Sequence, residues 1–243
     1  MPDKYPAAEW VPWKRDDAEG RPTFWPGSCT PVAVVLHIMA GSAGTARQWA
    51  SRGHYGASWH FTVGRDGHVM QHLELDDAGY QAGIPASNPD PAWPLWRGHG
   101  QNVNWYTLGI EHEGFPGEPF TAAQAEASRA LCRWLSETLA IPFDRRHFPA
   151  HAEIDVLNRP NDFNTPALRE AHYHYLFEEE EMTPEDKAKL DAVYEALVGR
   201  GNEPAGGELL ARWNANGNSL LLGYLREQEK VAAMSSRLAD AER

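Results

Sequence analysis

Apolar and polar positions change period several times along the 243 residues. Residues 1–30 have no regular period and carry prolines at 2, 6, 12, 22 and 26, so they read as irregular. The run Val32-Ala33-Val34-Val35-Leu36 then closes on His37 and gives way to Ala40-Gly41-Ser42-Ala43-Gly44. A continuous apolar run ending in turn residues predicts a strand buried on both faces, over 32–37. Strand-like runs follow at 59–64, 69–74 and 107–112, and Arg65-Asp66-Gly67-His68 joins the second to the third as a hairpin with an Asp-Gly turn. Residues 84–104, rich in Pro, Asn, Gly and Trp, read as a long ordered loop.

Helical spacing appears after Thr121, which with Gln124 fits a capping box; Ala127, Leu131, Trp134, Leu135 and Leu139 form one apolar face, and Pro142 ends it. A shorter helix is expected near Thr45, leading into Trp49. Strands alternating with helices predict an α/β fold, a mixed central β-sheet flanked by helices. The character changes at Glu178. Glu178 to Glu181 is a solvated acidic run, Thr183-Pro184-Glu185-Asp186 starts a helix, and a second helix covers roughly 208–240. We therefore expect a domain over 1–177, with its core at about 31–176, and an acidic linker with a helical C-terminal region over 178–243. A helical hairpin serving structure or self-association is the expected role of the latter.

The net charge of −12 excludes a basic arm in either part and offers no attraction to nucleic acid or anionic membranes. Two cysteines, Cys29 and Cys132, are too few for a disulfide scaffold and are expected as free thiols. The start, Met1-Pro2-Asp3-Lys4-Tyr5-Pro6, has no apolar core for a signal peptide, and no stretch is suited to span a bilayer, so synthesis in the cytoplasm is expected. Ten tryptophans are many, and several, Trp93 and Trp96 among them, fall in loop segments that often cover a groove.

The chemistry gathers around two histidines. A buried strand that delivers His37 to a glycine-rich loop builds the rim of a reaction site. His151 opens His151-Ala152-Glu153-Ile154 and is followed by Arg159-Pro160-Asn161-Asp162. A single histidine closing an apolar strand is, in isolation, more often a hydrogen-bonded core residue than a ligand, but His151 with the cation and acid that follow it could supply the remaining pieces of a metal site. Two neutral imidazoles and one carboxylate suit Zn²⁺ with one position left open for water. His172 and His174 fall on a helix, where residues two apart do not converge.

Several segments, in order, carry a resemblance. They are Val34-Val35-Leu36-His37 with its small-residue turn, Ser58-Trp59-His60-Phe61-Thr62-Val63, Arg65-Asp66-Gly67 and Ala82-Gly83. After them come Asn104, Leu108-Gly109-Ile110-Glu111-His112-Glu113-Gly114, and His151-Ala152-Glu153-Ile154. Together they resemble the zinc-dependent N-acetylmuramoyl-L-alanine amidases, a family that includes phage amidases, muropeptide-recycling amidases and peptidoglycan recognition proteins. The resemblance implies Zn²⁺ held by His37, His151 and Asp162, the last followed by Phe163-Asn164 where the family has Pro-Gly. It makes Glu111 the proton shuttle, with Glu113 a same-face alternative. Arg159 stands where a family Lys stabilises the oxyanion, the alternative being a salt bridge to Asp162 or Glu153. Trp59 stands where many members have Tyr and cannot exchange a proton as phenol does; it is expected to meet substrate instead. His60 is expected near the cleft, though a buried, satisfied histidine is the stronger reading; Asn104, Trp105, Trp93 and Trp96 are expected along the groove.

The implied reaction cleaves the amide between N-acetylmuramic acid and L-alanine of peptidoglycan, most readily as a phage endolysin acting on the cell wall after release. A recycling amidase, a non-catalytic peptidoglycan-binding protein and a metal-free hydrolase are the rival readings.

Overall fold

The computed structural model describes residues 4–88 and 91–177. The expected helices of 178–243 lie outside these residues. Continuous apolar runs became central strands: every residue of β3 (Ala33–Ile38) is buried, as is all of β7 (Thr107–His112) except Glu111. With β1 (Glu9–Trp10), β4 (Phe61–Val63) and β5 (Val69–Gln71) they form one sheet in the order β1-β5-β4-β7-β3. β3 and β4 both run parallel to β7, and β1 parallel to β5, while β4 and β5 are the antiparallel hairpin, so the sheet is mixed. At the hairpin turn Gly67 has φ +83°, and a Cβ there would meet the Ala123 carbonyl oxygen at 2.9 Å, which only glycine avoids.

The expected strands over 59–64 and 69–74 are shorter than their apolar runs, and 1–30 is not wholly irregular. β2 (Phe24–Trp25) pairs antiparallel with β6 (Ala78–Gly79) as a separate two-stranded ribbon. Two-residue strands leave too little periodicity to read from sequence.

Helix α1 (Ala43–Arg52) is capped by Ser42, whose hydroxyl accepts from the Thr45 N–H at 3.2 Å, and ends at Gly53 in the left-handed region. Helix α2 (Ala122–Leu139) starts where Thr121 accepts from the Gln124 N–H at 3.1 Å. The capping box is only half made. Gln124 sends its side-chain amide to the carbonyls of Val63 and Glu113, tying the helix to the sheet. Leu131 and Leu135 of the expected face are fully buried, with Ala127, Trp134 and Leu139 packed beside them. α3 (His151–Ile154) is a single turn, and α4 (Pro166–Phe177) opens on a proline suited to a first helical position. None of the described helices is long and apolar enough to cross a membrane.

Alternation along the strands divides the sheet chemically. Val34, Leu36, Leu108 and Ile110 face the main core with Leu131, Leu135, Tyr173 and Leu176 of α2 and α4. Ala33 and Val35 point the other way, against Ala82, Val103, Tyr106 and Ile154. His37 and Glu111 share the parity of this second face. Cys29 and Cys132 are both buried and unbonded, and burial pushes the Cys29 thiol up to about 12.

Candidate metal centre and active-site cleft

β3 is the last strand of the sheet, and the chain after α2 covers its free edge. The Val34 N–H donates to the His147 carbonyl at 2.8 Å and the Leu36 N–H to the Pro149 carbonyl at 2.9 Å, with Leu36 bridging Ala150 in parallel register. One residue further, His151 therefore arrives beside His37, their ring centroids 4.7 Å apart. Asp162 completes the group. Its Oδ1 accepts from the Ile38 and Phe163 N–H groups at 3.0 and 2.9 Å, which fixes the carboxylate. Its Oδ2 then lies 3.2 Å from His37 Nδ1 and 2.8 Å from His151 Nδ1.

The Phe163-Asn164 departure has a structural account. Both residues are left-handed, at φ 61° and 76°. Asn tolerates this conformation, and its side chain accepts from the Gly117 and Thr165 N–H groups while donating to the Glu118 carbonyl. Phe163 is a strained choice, but its ring is fully buried against His112, Phe120, His172 and Tyr173. The turn that follows Asp162 is thus held by packing and side-chain hydrogen bonds.

Glu111 is the cross-strand partner of His37. Its Oε2 is buried with no hydrogen-bond partner among the described residues, and burial pushes the carboxyl up to about 7 against the opposing pull of His37 and Arg159. Glu113 is occupied elsewhere: one oxygen accepts from the Ala43 N–H at the start of α1 and the other from the Arg65 N–H. Asp162 is held well below the usual carboxylate range by His37 and His151, which outweigh the penalty of its burial. Burial disfavours charge on His37 too, but Asp162 and Glu111 raise it to about 9, whereas burial lowers His151.

Metal fit is tested by the donor set itself. One atom from each of His37, His151 and Asp162 lies within 4.8 Å of the others. Ligands about 2.0–2.2 Å from a tetrahedral Zn²⁺ stand roughly 3.3 Å apart, so small side-chain adjustments suffice. Two buried imidazoles between two half-buried carboxylates, one with an oxygen that has no partner among the described residues, form a donor set that a dication neutralises. The residues fit Zn²⁺.

The cleft in front of the group encloses about 420 Å³ and is lined by the aromatics Trp25, Tyr55 and Tyr80 and by Gln81, Asn104, His151 and Arg159 among others. The Arg159 side chain makes no ion pair among the described residues. Glu153, its alternative partner, is taken by Arg145, which also pairs with Glu170.

Three expected groove residues, Trp59, Trp93 and Trp105, are corrected, and His60 takes its stronger, buried reading. Trp59 is 5% exposed, packs edge-on against Trp13 at 4.8 Å and donates to Thr62 Oγ1, so it belongs to the core. His60 is fully buried between the Asp77 carbonyl and the Gly109 N–H. Trp93 is buried and donates to the Arg146 carbonyl. Trp105 is 46% exposed but does not line the cleft. Asn104 does line it, and its carbonyl accepts from the Gln81 and Ala82 N–H groups. Sequence reasoning missed Gln81, Trp25, Tyr55 and Tyr80. Only Gln81 carried a signal, its place immediately before Ala82-Gly83.

A candidate metal centre that reaches an open cleft through His151, with the half-buried carboxylate of Glu111 beside it, has the make-up of a hydrolase. The family described as N-acetylmuramoyl-L-alanine amidase matches residues 28–167, and the chain belongs to that family of enzymes. A solved structure of a selenomethionine AmpD derivative has the same fold, with a TM-score of 0.52 at 21% identity over 72% of this chain and 96% of that one. The N-acetylmuramoyl-L-alanine amidase LysC from Clostridium intestinale URNW is similar over 77% of this chain and 99% of its own, at 18% identity and a TM-score of 0.46. E. coli AmiD, solved with anhydro-N-acetylmuramic acid-L-Ala-D-gamma-Glu-L-Lys, matches 54% of this chain and 50% of its own at 22% identity and a TM-score of 0.41. No curated protein sequence matches the chain.

Proposed function

We propose that the chain carries out the family's reaction on peptidoglycan as a zinc-dependent enzyme, and that it serves as an endolysin. The convergence of His37, His151 and Asp162 beside Glu111, whose Oε2 has no partner among the described residues, carries the reading. Bound there, Zn²⁺ supplies a Lewis acid that acidifies water and polarises the scissile carbonyl. The chain's own residues account for the rest. Glu111 Oε2 accepts a proton from the attacking water as the new C–O bond forms. The same oxygen returns that proton to the L-alanine nitrogen as the C–N bond breaks. Arg159, on the cleft wall and without an ion-pair partner among the described residues, faces the charge that develops on the carbonyl oxygen. The acidic run at Glu178 and the additional region beyond it favour a lysin over a recycling enzyme, which needs no second module.

Purified sacculi and soluble muropeptides, digested with and without a chelator and analysed by mass spectrometry, test the proposal. Release of stem peptides with free L-alanine amino termini from sacculi, lost with chelator and restored by Zn²⁺, is the expected result. Cleavage of soluble muropeptides alone would replace the endolysin role with a recycling one, and chelator-resistant cleavage would overturn the zinc dependence.

A further inference from the structure

Gln81 bonds to the buried end of His37. Its carbonyl oxygen Oε1 lies 2.8 Å from His37 Nε2, on the far side of the ring from Asp162. Donor bookkeeping decides which way the Gln81 amide faces. The Thr107 hydroxyl donates its only proton to the Val103 carbonyl at 2.9 Å. Toward Gln81, Thr107 Oγ1 can therefore only accept, and the atom 2.9 Å away must be the amide nitrogen. This fixes Oε1 against the imidazole, and since Oε1 only accepts, His37 Nε2 must carry a proton. Of the two ring protons, the one given up on ligation is therefore that on Nδ1, the nitrogen aimed at Asp162 Oδ2, and the lone pair it leaves is on Nδ1.

Two further features keep Gln81 in place. Asn104 holds its backbone N–H and that of Ala82. Gly109, cross-strand partner of Val35, leaves room on β7: a Cβ there would meet Gln81 Cγ, Cδ and Oε1 at 2.9–3.0 Å.

We propose that Gln81 is a positioning residue that locks His37 in the tautomer and ring orientation needed to ligate a divalent metal through Nδ1. The claim rests on the reading of His37 as a ligand. A ring nitrogen bonded to a fixed acceptor makes its partner nitrogen both available and more basic, and losing such a partner costs about 10–100-fold in metal affinity.

The test uses the full chain, with Zn²⁺ alone as the probe, titrated against a chromophoric chelator. Gln81→Met keeps the length and removes the acceptor; Gln81→Glu keeps an acceptor at the same place; Gly109→Ala displaces Gln81 without altering it. Zinc affinity is expected to fall about 10–100-fold in Gln81→Met and Gly109→Ala and to stay within a few-fold of wild type in Gln81→Glu. The ¹⁵N shifts of the His37 ring, read at a pH high enough for the ring to be neutral, should show a protonated Nε2 in wild type and Gln81→Glu and a mixture of tautomers in Gln81→Met. Wild-type protein that binds no zinc would overturn the metal reading and this inference with it. Zinc bound equally tightly by wild type, Gln81→Met and Gly109→Ala, with His37 protonated at Nε2 in all three, would overturn the role of Gln81 alone.

Discussion

Glu111 and Glu113 share a side-chain parity on β7, and parity alone left them interchangeable. Their surroundings separate them. Glu111 Oε2 is buried and has no partner among the described residues, whereas both oxygens of Glu113 accept backbone N–H groups from the start of α1 and from Arg65. Glu111→Gln should lower kcat about 10²–10⁴-fold with zinc affinity little changed, because a general base is lost while the three ligands remain. Unchanged kcat would exclude Glu111 as the proton carrier. Glu113→Ala should leave kcat per folded molecule near wild type and cost about 1–3 kcal/mol in denaturant unfolding, the penalty for two orphaned donors. The identities of His37, His151 and Asp162 were legible from sequence because each closes or opens a local pattern. Gln81 was not, since its work depends on a hydroxyl, a glycine and a ring from three distant segments.

Among elements, the match between sequence and fold is best in the two central strands. β7 spans the expected 107–112, and β3 is displaced by one residue. The run at 59–64 misled because Trp59 and His60, though buried, precede the strand, and their burial comes from loop packing against Trp13 and Asp77. The stretch 147–150, which brings His151 to His37, has no strand pattern of its own. It extends because the open edge of β3 offers it hydrogen bonds. The turn after Asp162 yields a sharp expectation. Asn164→Ala should destabilise the protein by about 2–4 kcal/mol, losing three hydrogen bonds in a left-handed position, and Asn164→Gly should recover roughly 1 kcal/mol of that loss. Glycine is ordinarily the more damaging replacement, so an alanine variant as stable as the glycine variant in urea unfolding would contradict this account of the turn.

Across the whole molecule, three buried histidines hold the two faces of the sheet together in neutral form. His60 bonds the Asp77 carbonyl, His72 the Val11 carbonyl and His112 the His37 carbonyl, and burial pulls each down to about 4. Because these values lie below the 6.5 of an exposed histidine, the unfolded chain takes up protons first as pH falls. Stability present above about pH 6.5 is therefore lost toward pH 4, at about 2 kcal/mol per imidazole between pH 7 and 5. Thermal unfolding with chelator in every sample should show Tm falling steeply over that interval; a flat Tm would mean that these rings are not buried neutral.

A mixed sheet and the segment that covers the free edge of β3 bring the side chains of His37, His151 and Asp162 to one point. Crystals grown with Zn²⁺ and measured at the zinc absorption edge address that convergence directly. The expected anomalous map has one strong peak about 2.0–2.2 Å from His37 Nδ1, a His151 ring nitrogen and an Asp162 carboxylate oxygen. A peak elsewhere, or none at this site with zinc in excess, would contradict the account.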